Sequence, residues 1–182
     1  MLFSKVLLPL AALLSAGIAS DPAPHDQHAR GLWSYEGYSA KQVIDALDLT
    51  YRDDNRYFRR TLYDTSIIVY DRPIVSNIYF LIDKAIGGSY WHRLNGTQVF
   101  NYHTGAPLTV YLYHEHEKVV EKLILGPDVL AGQSPQIIIQ PNVWQRSESR
   151  GKWTLAGASL SPGYVEWAYE VKPKGWNPVT WH

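Results

Sequence analysis

The sequence predicts an all-β domain, one antiparallel sandwich or barrel entered through a single short helix. Three observations carry that reading. Short runs rich in β-branched and aromatic residues recur along the chain: "SIIVY", "SNIYFLI", "SYWHRL", "QVFNYH", "LTVYLYH", "KVVEKLIL", "QIIIQ", "WTLAGASL" and "YVEWAYEV". The pieces "DRP", "IGG", "NG", "TGAP", "GPD", "QPN" and "SPG" separate them as turn signals. Aromatic residues are plentiful, 7 Trp and 13 Tyr, and suit both pleated surfaces and a wide interior that large side chains must fill. Many short strands at short spacing close more readily into one barrel than into parallel units. At 182 residues the chain has the length of one ordinary domain.

In chain order, residues 1–20 come first. "MLFSKVLLPLAALLSAGIAS" places Lys5 before an apolar run and ends in small residues, the pattern of a secretory signal peptide. Cleavage after Ala19 and after Ser20 fit equally. An uncleaved anchor is the rival reading, against which the shortness of the apolar run counts. Residues 21–38 form a polar leader with Pro and Gly and no period. The helix is expected over 39–49. Ser39 and Gln42 make a capping box, and Val43, Ile44, Ala46, Leu47 and Leu49 supply an apolar face. The strands follow from there to about residue 172. The tail 173–182 is Pro-rich and lies on the surface or covers a barrel end with Trp176 or Trp181.

Composition excludes some functions. Lys plus Arg equals Asp plus Glu, so no net field steers the chain to nucleic acid, and no nucleic-acid module is recognisable. After signal cleavage nothing remains to hold a membrane. Without cysteine there is no disulfide, thiol nucleophile or thiolate ligand. Asn95-Gly96-Thr97 is an N-glycosylation sequon or, in the plainer reading, a tight hairpin turn.

Several of these motifs come in a familiar order. "YFRRT" at 57–61, "SNIYFLI", "SYWHRL", "GAPLTVYLY", "LILGPDVLAGQSPQIIIQPNVWQ" and "LAGASLSPGY" resemble the small cupin family catalogued as DUF985, or cupin_5. The resemblance covers roughly residues 40–171 and implies a cupin domain over 39–172. Its fold would be a double-stranded β-helix, the jelly-roll barrel of cupins, often paired as a homodimer. It implies no particular activity, since cupins include oxygenases, epimerases, isomerases, lyases, decarboxylases and binding proteins.

The resemblance also implies where a metal would sit. The first cupin motif runs histidine, any residue, histidine, three or four residues, glutamate, six residues, glycine. Here His92 takes the first place, Leu94 the second, Gln98 the place of glutamate, and Gly105 closes the motif. Gln145 stands near the last histidine's place, in a loop one residue short. One ligand of four survives, so no metal and no other cofactor is expected. Rescue would need His103, His114 or His116, and "HEHE" at 114–117 reads as a hairpin tip. The family's "HPEGG"-like stretch is replaced by "YRDDNRYF", its glutamate after "YFR" by Arg60, and its "DEVWHFY" by "TQVFNYH".

Strand alternation then gives a candidate pocket. If His92 points inward, so do Tyr90 and Leu94. Gln98, Phe100 and Tyr102 join from the next strand and Gln145 from a far one. Val99, Asn101 and His103 face out. His92 is read as a proton shuttle, Tyr102 as its electrophilic partner, and Gln98, Gln145, Tyr90 and Phe100 as substrate contacts. Arg60 is either a contact to an acidic group or a surface charge. The expected function is a secreted cupin that acts on a small organic molecule without metal, by isomerase, epimerase, cyclase or lyase chemistry. Two alternatives stand beside it: a non-catalytic small-molecule binder, and a metal-dependent oxygenase.

Overall fold

The computed structural model describes residues 37–179. The signal peptide, the leader up to residue 36, and Trp181 lie outside the described residues. The predicted helix is α1 (Ala40–Ala46). Ser39 caps it, its Oγ accepting from the Gln42 N–H at 3.3 Å while Gln42 Oε1 accepts from the Ser39 N–H at 2.9 Å. The helix is shorter than the apolar pattern because Asp48 turns the chain at φ 51°. So short a helix depends on packing. Val43, Ile44 and Leu47 rest on Leu49, Leu81, Trp153 and Leu155.

The rest of the described chain is β. The strands are β1 (Thr50–Arg52), β2 (Arg56–Val69), β3 (Arg72–Asp83), β4 (His92–Leu94), β5 (Thr97–Gly105), β6 (Leu108–His114), β7 (Val119–Leu125), β8 (Gln136–Ile139), β9 (Trp144–Ser149), β10 (Trp153–Ser161) and β11 (Tyr169–Val171). They form two antiparallel sheets, in the orders β1-β2-β3-β10-β5-β8 and β11-β4-β9-β6-β7. The expected jelly-roll barrel is the fold observed.

Alternation builds the core between the sheets. Phe80, Ile82, Phe100, Ile137 and Ile139 from the larger sheet meet Leu108, Val110, Leu112 and Leu125 from the smaller. Outside the smaller sheet, Trp91, Tyr113 and Trp144 make a second cluster, onto which Trp176 of the tail folds. Trp176 thus lies on the outer face of this sheet, not over a barrel end. Gly105 ends β5 at φ 96°, and a Cβ there would lie 2.6 Å from the Trp153 carbonyl oxygen.

Some elements differ from the expected ones. "SIIVY" is only the end of β2, which begins ten residues earlier at Arg56. β9, "WQRSES", is the far strand expected to carry Gln145, but it does not stand out as a run of its own because its inward positions are polar. In "SYWHRL" only His92–Leu94 is strand, and in "YVEWAYEV" only Tyr169–Val171, after a 3-10 turn at Glu166–Ala168. The Asn95-Gly96 turn is not a hairpin, since β4 and β5 belong to different sheets. "HEHE" does lie at a hairpin tip, between β6 and β7.

Candidate functional site

One mouth of the barrel opens into a narrow cleft, whose space is about 580 Å3 when the open solvent above it is included. Residues from both sheets line it. Arg52, Arg56, Phe58 and Arg60 come from β1 and β2. Ser76, Ile78, Ala158 and Leu160 come from β3 and β10, Gln98 from β5, and Leu94 and Tyr169 from β4 and β11. Tyr164 completes the rim.

Behind this wall lies a charged knot. Asp54 Oδ2 accepts from the Arg56 Nε at 3.0 Å, from Arg56 Nη2, and from the Tyr169 hydroxyl at 2.6 Å. Arg52 Nε stands 3.8 Å from the same oxygen. Burial alone would raise the Asp54 pKa, but the Arg56 guanidinium outweighs it and holds the carboxyl below the carboxylate range. Burial likewise raises the Tyr169 phenol, which stays protonated and donates. The Arg52 guanidinium lies 4.5 Å over the Tyr169 ring and 5.1 Å over Tyr164.

His92 packs beside this knot, its ring centroid 5.7 Å from that of Tyr169. It is 1% exposed. Nδ1 lies 2.8 Å from the Tyr90 carbonyl oxygen, and Nε2 has no partner. Burial, then the neighbouring Arg56 charge, pushes its pKa down to about 3. The imidazole is therefore neutral at physiological pH. This corrects the reading of His92 as a shuttle titrating near neutrality; what it presents is a bare, uncharged lone pair.

The other predicted residues divide. Gln98 lines the cavity, 4% exposed, with Nε2 unpartnered. Gln145 pairs with His92 in register between β4 and β9, is fully buried, and has neither amide atom partnered. Arg60 is exposed and lines the mouth. Tyr102, Phe100 and Tyr90 do not converge with these. Tyr102 lies four residues along β5 from Gln98, roughly 13 Å at strand rise, and its hydroxyl donates to the Gly105 carbonyl at 2.6 Å. Phe100 packs on Phe80 in the core at 5.0 Å. The Tyr90 ring lines a different cavity, with Trp91 and Trp176; only its carbonyl serves His92. Asn95 is exposed, and its Oδ1 accepts from Arg72 Nη1 at 2.5 Å.

Asp54, Arg56, Arg52 and Tyr169 were missed. "YRDDNR" looks like a polar turn. The available signal was the alternation of Arg56, Phe58 and Arg60, which puts all three on one face.

The donor set does not fit a metal. The positions that would ligate hold one imidazole, a leucine and two neutral amides. His103 lies across β5, against Tyr79 on the opposite face from Gln98, and His114 and His116 sit at the β6–β7 turn. No group of three or more His, Asp or Glu among the described residues is placed to hold an ion.

The comparisons agree with this architecture. The family model for the cupin superfamily (DUF985), Cupin_5, matches residues 41–171. A protein of solved structure from Shewanella oneidensis is 26% identical, with a TM-score of 0.69 over 74% of this chain and 85% of that one. A hypothetical protein from Leishmania major is 19% identical, with a TM-score of 0.67 over 74% of this chain and 88% of that one. Comparison with curated proteins gave no match. A family model that spans most of the sequence, on a barrel of two antiparallel sheets, means that the chain belongs to the Cupin_5 (DUF985) family of the cupin superfamily.

Proposed function

We propose that this cupin takes a small organic molecule into the barrel mouth and moves a proton on it without a metal. One observation carries the reading: His92 Nε2, Gln98 Nε2 and both amide atoms of Gln145 are buried with no hydrogen-bond partner. An unpaired buried polar atom costs on the order of 1–3 kcal/mol. Gln98 lines the cavity, and the ligand or an ordered water reaches His92 and Gln145 behind its wall in this reading. In this scheme His92 Nε2 accepts the proton, Nδ1 staying bonded to Tyr90. The amide N–H groups of Gln98 and Gln145 stabilise the oxygen on which negative charge develops. The class is that of an isomerase, epimerase, cyclase or lyase. A secretory destination belongs to the same proposal and rests on residues 1–20.

A second reading, binding without turnover, is favoured by the low basicity of His92. One experiment separates the two. The purified chain and its His92→Gln variant are incubated with a small-molecule extract, and bound and free compounds are read by mass spectrometry. A compound converted by the native protein alone supports catalysis. A compound retained unchanged supports binding. Near-stoichiometric bound transition metal in the same preparation would overturn the metal-free scheme.

A further inference from the structure

The barrel mouth carries positive charge that its own residues leave unbalanced. Arg52, Arg56 and Arg60 all line the cavity, and no carboxylate does among the described residues that line it. Arg52 stands opposite Arg56 in the β1–β2 register. Asp54, behind the wall, balances Arg56. Arg52 reaches that carboxylate only at 3.8 Å, and its Nη2 donates instead to the Tyr164 hydroxyl at 2.7 Å. Glu166 accepts from the same hydroxyl at 2.5 Å, but it is exposed and outside the lining. Arg60 meets no carboxylate among the described residues; its guanidinium lies 4.6 Å over the Tyr63 ring.

A second, independent observation points the same way. Gln98 is more than nine-tenths buried, lines the cavity, and has its amide nitrogen unpartnered. A donor without an acceptor thus shares the lining with Arg60, which meets no carboxylate, across the width of β3 and β10. The wall between them is apolar: Ile78 pairs in register with Arg60 and Ala158, Leu160 pairs with Gln98, and Leu94 comes from the other sheet. Guanidinium forks recognise carboxylate and phosphate oxygens in particular.

We infer that the ligand of this mouth is a small organic anion. Its carboxylate or phosphate head lies at Arg52 and Arg60, and its apolar body crosses the Ile78–Leu160 strip toward the Gln98 amide. This rests on the pocket proposed above and specifies the chemistry of what fills it. The stacking of Arg52 on two tyrosine rings fixes its guanidinium before the ligand arrives, so little freedom is lost on binding.

The test uses the full chain and three matched probes: 3-phenylpropanoate, phenyl phosphate, and the neutral 3-phenylpropanamide. Binding is read by saturation-transfer NMR and calorimetry, at low and high salt. At least one acid should bind roughly tenfold or more tightly than the amide, and that preference should shrink in high salt. Arg60→Gln, at an exposed position that the fold does not need, should remove most of it. The tighter acid identifies the head group. An amide that binds as well as either acid, or an Arg60→Gln protein that keeps the full preference, overturns the anion assignment and leaves the pocket standing. Failure of all three probes, in protein with a folded NMR spectrum, sinks the pocket reading itself.

Discussion

The His92 ring nitrogen Nδ1 lies 2.8 Å from the Tyr90 carbonyl oxygen. A carbonyl can only accept, so the proton sits on Nδ1 and the free lone pair on Nε2. Nitrogen-15 NMR of the imidazole should show this single neutral tautomer at neutral pH. It should persist well below 6.5, the ordinary midpoint, because burial and Arg56 push the pKa down to about 3. A midpoint near 6.5 would contradict the described environment.

The same shift fixes the direction of acid denaturation. The unfolded chain binds this proton with the ordinary pKa of 6.5, the folded chain at about 3. The contribution to stability is complete above 6.5 and is lost as pH falls toward 3, at about 1.4 kcal/mol per pH unit. Asp54, depressed from 3.8, adds a further loss below that value. Urea midpoints should therefore fall on acidification, and His92→Gln should flatten the upper part of the profile. A wild-type profile already flat over that window would refute the assignment.

Asp54→Asn leaves the buried Arg56 guanidinium without its counter-charge and weakens the acceptor of the Tyr169 hydroxyl. Losses of about 3–5 kcal/mol follow when one partner of a buried pair is removed. Chemical denaturation should show a loss of that order; a change under about 1 kcal/mol would mean that the pair is solvated.

Gln145→Leu should move stability the other way. Both amide atoms of Gln145 are buried without partners, and an apolar side chain of similar size relieves that cost. The melting temperature should hold or rise, while ligand binding or turnover is lost. A variant that melts well below the native protein would show that Gln145 is structural.

Gly105→Ala meets two obstacles: a φ of 96° and a Trp153 carbonyl oxygen 2.6 Å from the new Cβ. The expected cost is about 1–3 kcal/mol, readable as a lower urea midpoint with unchanged probe affinity, since the residue is not part of the mouth.

The barrel was legible because its interior strands alternate cleanly: β6 runs Leu108, Val110, Leu112 inward, and that periodicity survives in any single sequence. β9 was not, because Gln145, Ser147 and Ser149 occupy its buried positions and read as loop. The resemblance to the cupin motif named His92, Gln98 and Gln145, and parity then turned them inward as it did the core; all three are buried. It misplaced Tyr102 because facing inward says nothing about depth; Tyr102 lies against Gly105, toward the far end of its strand. Asp54 was hidden because a buried ion pair two residues apart in sequence, Asp54 and Arg56, looks like a solvated turn until tertiary contacts close over it.

The placement of Arg56, Phe58 and Arg60 on one face of β2 makes chemical preference a matter of odd and even. A single residue inserted in the turn at 53–55 that slid the β2 register by one would turn these three outward and bring Tyr57 and Arg59 in. The barrel could survive such a slip at its edge, since β1 and β2 lie at the end of the larger sheet. Descendants of one scaffold could thus exchange two arginines and a phenylalanine at the mouth for a tyrosine and one arginine in a single genetic event, without substituting any residue of the wall.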